Sequence, residues 1–180
     1  MQAIIRRKLE TGRRALVFGR DHPDRCAVHA AALDRLAEFL ARADRYAARQ
    51  ELGFVRERGA AARRLALQQT LTPLHLRHLA SVAHGAADRR LLDELARTLR
   101  ELDAAIADGD EARRLHVRAT ADLMLAAAAV DVEVEVLDTV VRVRFADAPL
   151  LLAEWQDATR AAPARPATAH PPGGVVQPAA

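Results

Sequence analysis

Residues 130–145 read VDVEVEVLDTVVRVRF, and two secondary structures compete for them. Alternating apolar and charged residues fit a half-buried strand pair. With Asp138-Thr139 as the turn, Glu135 would face Arg142 and Glu133 would face Arg144. Val136/Val141, Val134/Val143 and Val132/Phe145 would pair on the other side. Three features oppose the hairpin. Asp-Thr lacks the Gly or Asn that a two-residue turn favours. No other stretch supplies a third strand, and an isolated hairpin is marginal in water. Nothing between Gly109 and Pro149 breaks a helix.

The helical alternative has a continuous seam. His116, Thr120, Leu123, Ala127, Val130, Val134, Leu137 and Val141 step by four and three. Asp131, Glu135, Asp138 and Arg142 form a polar stripe beside it, with Asp138 and Arg142 spaced for an ion pair. β-branching costs a few tenths of a kcal/mol per residue, which burial outweighs. The stretch is therefore read as helix. Val132, Val136, Val140 and Val143 fall on its opposite side. A helix apolar on two faces is central or touches another chain, so these four valines are candidates for self-association.

Upstream, the same periodicity extends. In AIIRRKLETGRRALVFGR, Ile5, Leu9, Gly12 and Leu16 fall at helical spacing among Arg6, Arg7, Lys8, Arg13 and Arg14. Gly19 is expected to stop this helix, and Asp21, His22, Pro23 and Asp24 to start the next. Leu33, Leu36, Leu40, Ala43, Ala47 and Phe54 then trace a coiled-coil-like bundle seam widened by Phe39 and Tyr46. Thr70 or Thr72 followed by Pro73 marks an expected break or restart. Leu92, Leu95, Leu99, Leu102 and Ile106 make the next stripe, ended by Asp108-Gly109-Asp110. Asp147 is the expected cap of a short closing helix, which Trp155 docks onto the core. Residues 161–180, AAPARPATAHPPGGVVQPAA, read as a disordered Pro/Ala-rich tail.

The expected fold is all-α: an elongated antiparallel helical bundle of about four long helices plus a short C-terminal helix, in one domain over residues 1–160. A chain of 180 residues with half its residues apolar suits one domain with a real core.

Composition narrows the function classes. Cys26 is the single cysteine, so an intramolecular disulfide is excluded and a reducing, cytoplasmic setting is the default. The longest clean apolar run, Leu123 to Val130, falls far short of the ~20 residues of a membrane span. Residues 1–80 carry 16 basic and 8 acidic side chains, and residues 81–160 carry 10 and 16. An acidic half on the same chain competes with any nucleic acid for the basic half, so mutual packing of the halves is the preferred reading.

Chemistry is thinly represented. His75 and His78 lie one helical turn apart, and His116 could join them from a facing helix to hold a metal. The Glu-x-x-His pairs of a di-iron bundle are missing. Ser81 lacks a nucleophile elbow, and Cys26 has only sequence neighbours, His22 and His29, rather than a positioned triad. No phosphate-cradling glycine loop or dinucleotide fingerprint occurs. No catalytic residue, cofactor or small-molecule substrate is inferred. The leading expectation is a non-enzymatic structural or protein-interaction module that self-associates through the valine-rich helix. A metal-binding bundle is the alternative, and binding of nucleic acid or an anionic surface through the basic first helix is a third.

The segments IRRKLETGRRALVFGRDHPD, LTPLHLRHLASVA and RFADAPLLLAEWQDA resemble a loose group of uncharacterised all-helical proteins from high-GC bacteria. The resemblance covers most of residues 1–160. It implies an all-helical fold and carries no activity.

Overall fold

Residues 2–22, 29–85 and 88–160 are described in the computed structural model of the protein. They form four α-helices and, among the described residues, no strand. α1 spans Gln2–Asp21, α2 Ala30–Ala83, α3 Arg89–Arg144 and α4 Pro149–Thr159. Two helices are very long, at 54 and 56 residues. Each extends about 80 Å at 1.5 Å per residue. The expectation of about four long helices is thus corrected to two, with α1 at 20 residues and α4 at 11.

The correction has two sources. α2 continues through Pro73, whose side chain faces solvent, so the missing N–H falls on the outside of the hairpin. Thr70 and Thr72 do not cap a new helix. Their hydroxyls donate back to the carbonyls of Ala66 and Gln68, at 3.1 and 3.2 Å. α3 likewise runs through Asp108-Gly109-Asp110. Gly109 faces α2 inside the helix, where a Cβ would make ordinary van der Waals contact with that of Ala60 at 3.5 Å. The real stop is at Gly85, whose φ of 70° lies in the left-handed region. Asp88 then caps α3 by accepting from the amides of Arg90 and Leu91.

Residues 130–144 lie within α3, and Phe145 caps it. The predicted seam holds throughout: Leu123, Ala127, Val130, Leu137 and Val141 are buried, and His116, Thr120 and Val134 are half-buried. Asp138 and Arg142 form the expected ion pair at 2.7 Å.

α2 and α3 form an antiparallel hairpin with one register along its length. Arg35 meets Glu133, Gln50 meets Thr120, Gly53 meets His116, and Arg63 meets Asp108. Buried positions on α3 recur every seven residues: Leu91, Thr98, Ala105, Ala112, Ala119, Ala126 and Glu133. On α2 the inward positions repeat with the same spacing, from Ala32 through Gly53 and Ala60 to Leu74. A seven-residue repeat keeps one stripe of each helix against the other over many turns. The stripe is mostly Ala, Gly and Thr, so the backbones approach closely and larger side chains are displaced to the rim. Hence Leu92, Leu99 and Ile106, expected in the buried stripe, are 40–43 % exposed, while Leu95 and Leu102 are half-buried. Phe54 is likewise on the rim, and Gly53 takes the inward position.

At one end the hairpin is thickened into a base. α1 runs antiparallel to α2, with Gly12 against Leu36, Leu40 and Val130, and Gly19 against Leu33. Gly19 is therefore a contact residue inside α1, and the helix continues to Asp21. Ile5, Leu9, Ala15 and Phe18 share the core with Leu36, Leu40, Val130, Leu137 and Trp155. α4 follows a short turn. Its N-cap is Ala148 with Pro149 in the first turn, rather than Asp147. Trp155 anchors it at 1 % exposure, edge-on to Phe18 at 5.2 Å. The predicted tail, residues 161–180, and the predicted cap residues 23 and 24 lie outside the described residues.

Candidate interaction surface

α1 is too short to cover the hairpin. Its 20 residues reach about 30 Å, against about 80 Å for α2 and α3. The core cluster draws α1 onto residues 32–47 of α2 and 123–145 of α3, and α4 packs on α1 and α3. Beyond that level the two long helices project as a two-helix arm, residues 51–83 and 89–119.

The junction of base and arm is polar. Gln50 donates its amide to the Thr120 hydroxyl at 2.8 Å, and Thr120 donates to the His116 carbonyl at 2.8 Å. His116 Nδ1 lies 3.1 Å from the Gln50 carbonyl, which can only accept, so Nδ1 carries the proton. Gly53 completes the junction, since a Cβ there would sit 2.9 Å from the His116 amide nitrogen.

Heptad position carries the α1-binding face outward along the arm. At the base this face contains Leu33 and Leu40 of α2, with Ala127, Val134 and Val141 of α3. In steps of seven it continues through Phe54, Ala61, Gln68, His75 and Val82, and through Thr120, Arg113, Ile106, Leu99 and Leu92. Leu65 and Leu79 flank it on α2. Here no described helix covers it: Leu65 is 57 % exposed, Leu79 51 % and Val82 58 %. Leu71, Thr72, His75, Leu76, Leu95 and Leu99 line an apolar groove of about 290 Å³ between the helices. The opposite side of the arm is charged, with Arg63 3.8 Å from Asp108.

The candidate histidines do not converge. His75 is exposed in the arm groove and His78 is half-buried one turn on. His116 faces Gln50, about 25 residues back along α2 from His75, or nearly 40 Å by helical rise. Among the described residues no group of three or more His, Cys, Asp or Glu is placed to hold a metal ion. Cys26 lies outside the described residues.

The four valines divide. Val132, Val136 and Val143 are exposed at 58, 44 and 78 %, while Val140 is half-buried. They lie on a different side of α3 from α1. The basic helix α1 spends cations internally: Lys8 pairs with Asp131 at 2.7 Å, Arg13 with Asp44, and Arg14 with Glu10. Arg35 makes two hydrogen bonds to Glu133, at 2.8 and 3.2 Å. Of these, Lys8–Asp131 and Arg35–Glu133 join the basic and acidic halves of the chain. Among the described residues no helix is long and apolar enough to cross a membrane.

The apolar arm face was missed in the sequence because its leucines were assigned to the buried stripe. The signal that could have found it is the seven-residue spacing of Thr98, Ala105, Ala112, Ala119 and Ala126, which marks the true inner stripe. No family model, curated protein or solved structure matches the chain.

Proposed function

We propose that the protein is a non-enzymatic helical interaction module: a compact base that presents a coiled-coil-like arm to a protein partner. The observation that carries this reading is the uncovered continuation, along the arm, of the face that α1 covers at the base. A largely apolar stripe on a projecting element is a recognition surface for another helix or hairpin. The exposed valines 132, 136 and 143 favour a second, smaller contact on the base. The spread of His75, His78 and His116 withdraws support from metal binding, and the internal pairing of Lys8, Arg13 and Arg14 withdraws it from nucleic acid.

Affinity capture tests the reading with two baits, the wild type and the double variant Leu79→Glu/Leu99→Glu, both checked for helix content. A protein retained by the wild type, the chain's own untagged copy included, should be lost with the variant. Recovery of the same proteins by both baits would overturn the arm as the working surface.

A further inference from the structure

We infer that the partner of the arm is a second copy of this chain, docked arm to arm and antiparallel so that two hairpins close a four-helix bundle. This rests on the interaction-module reading and names its partner.

Continuity gives the first argument. At the base, α1 forms a layer on the hairpin face over Leu33, Leu40 and Val130. The same face goes on beyond the N-terminal end of α1, and a second arm laid there continues that layer. The orientation follows. A parallel partner would bring two copies of α1 into one gap, whereas an antiparallel partner points each tip at the other copy's α1.

Area gives the second. Residues 61–82 of α2 rise about 33 Å, and two helices lying 8–10 Å apart present a face about 20 Å wide. That is on the order of 700 Å² per copy, close to the roughly 800 Å² that each partner of a stable complex buries.

Charge gives the third and selects self over other. An isologous contact sets each residue class against itself, so any charge cluster on it would meet its own kind. Between Arg58 and Val82, the α2 columns on this face, those of Leu33, Leu36 and Leu65, carry only Arg64. Between Leu92 and Ile106, the α3 columns carry only Asp103. A face so nearly free of charge is compatible with its own copy and offers little to a charged partner.

Sedimentation equilibrium of the purified full chain, from low to high micromolar concentration, is the test. The wild type should be a dimer. Leu65→Glu/Leu99→Glu should weaken association on the order of a hundredfold or more, with unchanged far-UV circular dichroism, since both side chains are on the surface of the single chain. Val132→Glu/Val136→Glu, on the base, should leave the dimer intact. A wild type that stays monomeric overturns the proposal. If its arm still captures a different protein, the module reading stands without it. A dimer that survives the arm variant and is lost in the valine variant also overturns it, and moves self-association to the base.

Discussion

Trp155 donates its indole N–H to Asp138 at 2.8 Å, and Arg142 holds the other oxygen of the same carboxylate at 2.7 Å. One residue thus joins α3 to α4, at the very position where a strand pair would have turned. Partial burial pushes the Asp138 carboxyl upward. The hydrogen bonds from Arg142 and Trp155, with the Arg142 charge, outweigh it and hold the group below its ordinary value. A depressed native value adds stability that is complete above the unfolded carboxylate pKa of about 3.9 and disappears as pH falls through the native one. Thermal unfolding across the acid range should therefore show a loss of stability below about pH 4 that Asp138→Asn makes shallower. Trp155→Phe should cost about 1–2 kcal/mol at neutral pH. An unchanged acid limb in Asp138→Asn would remove Asp138 as its source.

Gly53 and Gly59 sit six residues apart in one helix and predict opposite outcomes. A Cβ at Gly53 meets the backbone of His116 at 2.9 Å, which cannot rotate away, so Gly53→Ala forces the hairpin apart. It should destabilise by about 1–3 kcal/mol. At Gly59 nothing lies within 4 Å, and Gly59→Ala should stabilise by about 0.5–1 kcal/mol through helix propensity. Urea midpoints of the two variants check the pair, and a shared sign would contradict the close approach.

Removing the two partners of the Arg35–Glu133 pair should have unequal effects. The Glu133 side chain is 11 % exposed and that of Arg35 50 %. Arg35→Ala strands a carboxylate in a packed seam, at a cost of about 1–3 kcal/mol. Glu133→Leu leaves an arginine free to turn into water and fills a heptad position with an apolar group. Its effect should lie within about 1 kcal/mol of zero, or stabilise. Equal losses in chemical denaturation would argue against this asymmetry.

Pro73 deprives the Gln69 carbonyl of its helical donor on the outer side of α2. Pro73→Ala should raise stability by about 1–3 kcal/mol. Hydrogen exchange should slow most in the flanking turns of the arm, residues 66–78, and little in the base. Uniform protection changes over the whole chain would indicate that the arm does not open separately.

The helical state of residues 130–144 was legible because the step-of-four-and-three seam is a property of the chain itself. The Asp138–Arg142 pair was legible for the same reason, being one helical turn apart. The anchoring role of Trp155 followed from its being the one large aromatic in a short apolar helix. Helix boundaries were less legible. Pro73 and Gly109 carry strong local stop signals, yet both are passed through, because each carries only a modest penalty against the cooperative pairing of two helices more than fifty residues long.

The sequence by itself determined that the chain is helical and which stretches wind into helices, since periodicity and propensity act over a few residues. Only the tertiary structure decided which stripe of the arm faces inward. Leucines and alanines alternate there on neighbouring stripes, and local pattern favours the leucines as core. Two backbones drawn close together favour small residues, mostly Ala, Gly and Thr, between them, so Leu92, Leu99 and Ile106 are turned out to the rim. That choice, made by the fit of one helix against another and not by either alone, leaves the arm with a face still to be covered.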